Sequence, residues 1–112
     1  EGVYLLTPFA ADATDDLTVA FVNKYDQLFG EVPMQFAADA YDAVYVLYHA
    51  CKDGGVTADM SNSEISAIVR EQVTSMTFNG LTGTNITWDA SGEVSKLPMA
   101  VVIKDGAYVL AQ

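Results

Sequence analysis

Three titratable side chains on one apolar segment, Asp39, Asp42 and His49, are the first candidates for acid–base chemistry in this sequence. Asp42 and His49 are seven residues apart, which places them on the same side of a helix. A histidine base must lie within about 3 Å of the group that orients it, whereas two helical turns separate the backbones by about 10 Å. An enzyme that uses these residues is therefore the weakest function considered, and we predict no catalytic residue.

Other sites of catalysis or cofactor binding are also incomplete. No Gly-x-Ser-x-Gly nucleophile motif occurs, and one histidine with one cysteine is too few for a zinc site. The glycines of 80–84 have no following lysine, so this segment does not match a phosphate-binding loop. Segment 89–93 resembles half of a calcium loop but lacks its distal glutamate. We interpret both segments as turns and predict neither metal nor cofactor.

Charge and composition narrow the class of protein. The 112 residues are 51% hydrophobic and carry a net charge of −10, which disfavours binding to nucleic acid or to anionic lipid. No apolar run is long enough to span a membrane without an interrupting aspartate. Cys51 is the single cysteine, so an internal disulfide is excluded and a buried thiol is expected.

The pattern of apolar residues predicts one strand, three helices and then several short strands. Pro8 ends the strand at 3–6, and the sequence from Ser61 to Glu64 is a capping box that starts the third helix. The helices are expected at 15–29, 35–52 and 62–75, and later strands at 86–88, 100–103 and 107–110. We expect residues 2–7 to pair with the last two strands, and the helices to pack on one another and on a hairpin over 84–97.

The second helix is apolar on almost every side. From Phe36 to Cys51, only Asp39, Asp42 and His49 interrupt apolar or tyrosyl residues. Such a helix must be covered on almost every side, and a chain of 112 residues has little with which to cover it. The sequence therefore predicts that this chain is part of something larger.

Several segments, in this order, resemble the last part of the type I periplasmic binding proteins. The closest members are the branched-chain amino-acid receptors of ABC transporters, also called extracellular ligand-binding receptors. The matching segments are 1–4, 7–9, 21–25, 29–33, 37–45, 78–83, 86–89, 92–93 and 102–106. The resemblance covers nearly the whole chain, which would be a C-terminal fragment of a protein about three times as long.

This resemblance implies an α/β fold of two lobes joined by three crossing strands, of which the chain holds one incomplete unit. Residues 1–7 and 100–112 would be strands of the second lobe, and 9–96 would be helices and a hairpin of the first lobe. The crossings, which would act as hinges, fall at Pro8 and at Ser95, Lys96, Leu97 and Pro98.

The resemblance also implies a ligand site at the start of the second helix. Phe36 falls where the family often places an aromatic ring beside the ligand, with Gln35 and Ala37 as its neighbours. Asp39 would lie about one turn deeper and support the site. The alternative for Phe36 is packing between helices.

The function implied is that of the solute-binding component of an ABC importer, with no catalytic step. The intact protein would capture a small polar solute, an amino acid of the branched-chain type, outside the cytoplasm and deliver it to a permease. We expect this chain alone not to bind the solute, and to form a homo-oligomer through its exposed helix faces. The alternative is a small secreted interaction domain that homodimerises through the second helix.

Overall fold

Over the described residues, the chain folds as one strand, three helices and four further strands, as the sequence predicts. The computed structural model describes residues 1–111; Gln112, the last residue of the predicted unit 100–112, lies outside the described residues. The elements are β1 (Tyr4–Thr7), α1 (Asp16–Phe29), α2 (Gln35–Asp53), α3 (Asn62–Ser75), β2 (Phe78–Gly80), β3 (Gly83–Ile86), β4 (Met99–Lys104) and β5 (Ala107–Leu110).

The two ends of the chain form one antiparallel sheet with the strand order β1-β4-β5. Thr7 pairs with Met99 at one end of the β1–β4 ladder. The turn between β4 and β5 is Asp105-Gly106, and both residues have positive φ angles, 51° and 76°. Such a two-residue turn matches the twist of the strands that it joins, which explains why Asp-Gly predicts this hairpin.

Local signals determine where the helices begin and end. The Asp15 carboxylate accepts a hydrogen bond from the Thr18 N–H at 3.0 Å and caps α1. Ser61 and Glu64 form the predicted capping box of α3. Gly30 ends α1 in the left-handed conformation, at a φ of 70°. By contrast, α2 begins after Met34 with no side-chain cap.

The strand predicted at 86–88 is wrong, because β3 ends at Ile86. Beyond Ile86, the Thr87 N–H donates to the Ser95 hydroxyl instead of to a strand carbonyl. Trp88 then pairs with Val94 in an isolated bridge. A side chain thus takes the place of one ladder bond, while the Ser95 N–H still donates to the Thr87 carbonyl and the Asp89 N–H to the Glu93 carbonyl, so the hairpin over 84–97 is an irregular pairing around the turn at 89–92.

The core lies between α2 and the β2–β3 hairpin. The buried residues of α2 recur at every fourth position and form one stripe. The stripe consists of Ala38, Asp42, Val46 and Ala50. Val46 packs against Phe78 and Ile86, and Ala38 packs against Leu81 and Phe9. One side of α2 is therefore well covered.

The opposite side of α2 is bare. Four large side chains there, Val44, Tyr45, Leu47 and Tyr48, are 44–65% exposed. The radius of gyration is 16.4 Å, against about 13 Å for a compact domain of this length. The accessible surface is 7597 Å², against about 6,000 Å² for a compact protein of this mass. The chain is extended and leaves apolar surface uncovered, as the pattern of the second helix predicts.

Candidate functional site

An open groove lies where the start of α2 meets the end of β1 and the neighbouring sheet. Its volume is about 590 Å³, and we call it the junction groove. Apolar side chains from both parts of the structure dominate its lining, among them Leu6, Phe9, Met34, Phe36 and Tyr108. Polar groups enter it from Thr7 and Gln35. A groove of this size suits a small solute with an apolar body and few polar groups.

Phe36 is the most prominent side chain at the junction groove. It lies in the first turn of α2 and is 65% exposed. The alternative to ligand contact was packing between helices, and within the described residues the ring is not packed between helices. The ring is accessible to a ligand, and contact with a ligand remains a prediction.

Gln35 is fixed in place by a residue distant in sequence. The Thr7 hydroxyl donates to Gln35 Oε1 at 2.6 Å, and the Phe9 N–H donates to the Thr7 hydroxyl oxygen at 3.3 Å. Thr7 is buried and is the last residue of β1. The first residue of α2 is thereby tied to the strand that enters the helical part of the chain.

The other two predicted ligand residues do not line the junction groove. Ala37 faces a second groove, of about 550 Å³, which runs between α1 and α2. The Asp39 carboxylate accepts a hydrogen bond from Lys96 Nζ at 2.9 Å, and both side chains are partly exposed. The structure therefore brings Gln35 and Phe36 together at the groove, and it places Ala37 and Asp39 elsewhere.

The predicted hinge residues lie where the chain passes between the sheet and the helical part. Pro8 follows β1, and Leu97 and Pro98 precede β4. Leu97 is 84% exposed. Ser95, by contrast, bonds to Thr87 through both backbone and side chain, and Lys96 bonds to Asp39. The predicted segment thus contains two residues held by hydrogen bonds, Ser95 and Lys96, and then two exposed ones.

Asp42 has a role that the sequence reasoning missed. It is 4% exposed, and its carboxylate accepts from the Leu81 N–H at 2.9 Å, the Thr82 N–H at 2.8 Å and the Thr82 hydroxyl at 2.7 Å. A Cβ on Gly80 would lie 2.5 Å from Asp42 Oδ1, so a larger residue at that position would displace the carboxylate. Asp42 holds the turn between β2 and β3 against α2. The signal was an aspartate on the stripe of buried positions.

The enzyme alternative finds no support in this geometry. The acceptor positions of Asp42 are occupied by the turn, and Asp39 is paired with Lys96. The ring of His49 lies edge-on to that of Tyr48, with 5.3 Å between the centroids. Cys51, expected to be buried, is partly exposed because α2 lacks cover on that side. Across residues 1–111, no cluster of acidic, histidine or cysteine side chains is arranged to hold a metal ion.

Comparison with known families identifies the fold. The family model described as "Periplasmic binding protein" matches residues 1–107. The chain belongs to this family. Its fold is that of the type I periplasmic binding proteins, and the family is one of solute-binding proteins, as the resemblance implied. No curated protein matches the chain.

Solved structures of family members superpose on nearly the entire chain. The leucine binding protein LivK of Thermotoga maritima is 26% identical, with a TM-score of 0.77, and the match covers 100% of this chain and 30% of that one. A substrate-binding protein of Desulfitobacterium hafniense in complex with Leu is 22% identical, with a TM-score of 0.80 and coverage of 99% and 31%. A solute binding protein of R. palustris in complex with benzoate is 17% identical, with a TM-score of 0.79 and coverage of 98% and 29%.

The solved relatives are distant in sequence and much longer than this chain. The last two lie below 25% identity and establish the fold alone. The chain spans about three tenths of the length of the solved structures that it matches.

Among residues 1–111, none of the helices combines the length and apolar character needed to cross a bilayer.

Proposed function

We propose that this chain is part of the solute-binding component of an ABC importer, and that the junction groove is the part of the ligand cleft that the chain contributes. The observation that carries the proposal is Phe36, which is 65% exposed at a mainly apolar groove in a chain of this family. The cleft would lie between two lobes, and β1, β4 and β5 would belong to the second lobe.

The chemistry of the groove supports a small solute with an apolar body and a carboxylate. Phe36 and the neighbouring aliphatic side chains offer contact to the body. The start of α2 borders the groove and has no side-chain cap, so its positive end suits an anionic group. Leucine, a branched-chain amino acid, has this chemistry, and so does benzoate. We favour the amino acid because the leucine binding protein of T. maritima is the more similar in sequence.

The chain alone is not expected to bind this solute with useful affinity. The junction groove is open, and binding sites for small ligands usually enclose most of the ligand's surface. The remaining wall of the cleft would come from parts of the longer protein. In that protein the bound solute would be delivered to a membrane permease from outside the cytoplasm.

In isolation, the chain would instead cover its bare helix faces with a second copy. It exposes about 1,600 Å² more surface than a compact protein of its mass, which is about twice the area of roughly 800 Å² that each partner buries in a standard protein interface. Light scattering at micromolar concentration should therefore report an oligomer. A clean monomer would contradict this part of the proposal.

The ligand proposal is tested by thermal-shift measurements on the full-length protein that carries this chain. A ligand at about 100 times its Kd stabilises the folded state by about 2.7 kcal/mol. L-leucine should raise the melting temperature of the wild type, and benzoate is the second probe. Phe36→Ala should weaken leucine binding by roughly tenfold, because it removes part of the apolar contact.

Phe29→Ala is the matched control. Phe29 is 63% exposed, nearly as much as Phe36, but it ends α1 and does not line the junction groove. The control variant should retain the leucine-induced shift. Equal loss in both variants would contradict a ligand contact at Phe36, and a shift with benzoate alone would replace the amino acid with an aromatic acid.

A further inference from the structure

Both connections between the sheet and the helical part are held by the first turn and a half of α2. At the outgoing connection, the Thr7 hydroxyl donates to Gln35 Oε1 at 2.6 Å. At the returning connection, Lys96 Nζ donates to Asp39 Oδ1 at 2.9 Å. Gln35 and Asp39 are four residues apart and therefore project from the same side of the helix, with Phe36 beside them. One short piece of helix thus contacts both connections and the candidate ligand site.

Lys96 pairs with Asp39 although the chain contains many other acidic residues. The chain has five lysine and arginine residues against fifteen acidic ones, so a basic side chain has many possible partners. Within residues 1–111, Lys96–Asp39 is nevertheless the single salt bridge. The two residues are 57 positions apart in sequence, and the pair is partly buried, with side-chain exposures of 26% and 36%. A long-range pair of this kind restrains the position of the chain around Lys96.

The hydrogen bonds on either side of this pair define the length of the free connection. The Ser95 N–H donates to the Thr87 carbonyl at 3.0 Å, and the Ser95 hydroxyl oxygen accepts from the Thr87 N–H at 3.0 Å. Met99 begins β4 and pairs with Thr7. Between these fixed points, Leu97 and Pro98 are exposed. Of the four predicted hinge residues in the returning connection, only Leu97 and Pro98 are therefore not held by these contacts.

We propose that Asp39 is a positioning residue, which fixes Lys96 to α2 and so confines the rotation of the lobes to Pro8 and Leu97–Pro98. This inference rests on the proposed function, since it concerns how the same cleft closes. It gives Asp39 a role other than ligand contact, and it makes Ser95 and Lys96 anchors of the hinge. A shorter free connection allows fewer lobe arrangements, so a larger fraction of molecules is able to close on the ligand.

The expected effect on leucine binding follows from the fraction of molecules that are able to close on the ligand. The apparent Kd is the intrinsic Kd divided by the fraction of molecules in the competent state. A partly exposed ion pair contributes modestly, so its loss should weaken leucine binding by roughly two- to fivefold. The effect should decrease with salt, because partly exposed charges are screened.

The experiment uses the full-length protein that carries this chain, with Asp39→Asn, Lys96→Met and the exchanged pair Asp39→Lys/Lys96→Asp. Spin labels on the two lobes report the distance distribution without ligand, and calorimetry reports the affinity for L-leucine at low and high salt. Each single variant should broaden the distribution and weaken binding, and the exchanged pair should restore both. Asp53→Asn removes a charge from the exposed end of α2 and should change neither quantity.

The possible failures are distinguishable. If Asp39→Asn weakens binding but Lys96→Met does not, Asp39 contacts the ligand and the inference is wrong. An unchanged distance distribution in both single variants also overturns it. If the wild type binds neither leucine nor benzoate while the distances change as expected, the proposed ligand fails but the positioning role of Asp39 stands.

Discussion

Replacing Asp42 with asparagine should destabilise the chain more than any other single change of charge in α2. The Asp42 carboxylate is buried and accepts three hydrogen bonds from Leu81 and Thr82 at 2.7–2.9 Å. Asparagine has nearly the same shape, but its NH₂ group cannot accept. Whichever oxygen is replaced, at least one backbone N–H of the turn then faces another donor.

The magnitude follows from the partners that are lost. A buried group left without a partner costs about 1–3 kcal/mol, and hydrogen bonds to a charged group contribute about 1.5–3 kcal/mol each. Because asparagine keeps one acceptor, we expect a loss of about 2–4 kcal/mol in the free energy of unfolding for Asp42→Asn. That is a large fraction of the total stability of a domain, which is about 5–15 kcal/mol.

Urea unfolding followed by circular dichroism measures this loss, at one fixed protein concentration because self-association adds to apparent stability. Hydrogen exchange locates it: the Leu81 and Thr82 amides should lose protection before the amides of α1 do. Asp26→Asn, on the exposed side of α1, is the control and should stay within about 0.5 kcal/mol. A change as small for Asp42→Asn, with both amides still protected, would refute the reasoning.

Three further predictions concern other contacts. Gly80→Ala should destabilise the chain by about 1–3 kcal/mol in the same urea assay, because its Cβ would lie 2.5 Å from Asp42 Oδ1; wild-type stability would contradict this. Asp15→Ala should cost about 0.5–2 kcal/mol near pH 7. Hydrogen bonds from the Thr18 side chain and N–H lower the pKa of Asp15 below 3.8, so this stabilisation is fully present above pH 3.8. It is lost as the pH falls through the lowered pKa, and a penalty that persists in strong acid would exclude this cause. Leu47→Glu should reduce the mass measured by light scattering, since Leu47 is 50% exposed on the bare side of α2; an unchanged mass would place the interface elsewhere.

The sequence predicts the helices well because their ends depend on neighbouring residues. The Asp15 cap, the box from Ser61 to Glu64 and the Asp105-Gly106 turn each involve contacts within four residues. Such contacts form or fail independently of the rest of the fold. The family could also be predicted from the sequence, because the segments typical of it occur in the family's order along the chain.

The contacts that position the site could not be predicted from the sequence, because they join residues that are far apart in it. Asp42 bonds to Leu81 and Thr82, which are 39 and 40 residues away, and Asp39 bonds to Lys96 across 57 residues. Periodicity indicates that an aspartate faces the core, but it does not identify which distant donor reaches it. The error at 86–88 has a similar cause, because the Ser95 side chain takes the place of a strand partner at Thr87.

Three parts of the α2 surface have different neighbours. These neighbours explain why the helix is mostly apolar and why aspartates occur in it at Asp39 and Asp42. The buried stripe packs on the β2–β3 hairpin, and Asp42 is tolerated there because the turn supplies three donors. The first turn and a half holds both connections to the sheet through Gln35 and Asp39, which leaves Phe36 free at the junction groove. The third part carries the exposed side chains of Val44, Tyr45, Leu47 and Tyr48. In the proposed receptor, the helix is therefore fixed on one side by its own hairpin, while its first turn and a half contacts both connections and borders the junction groove.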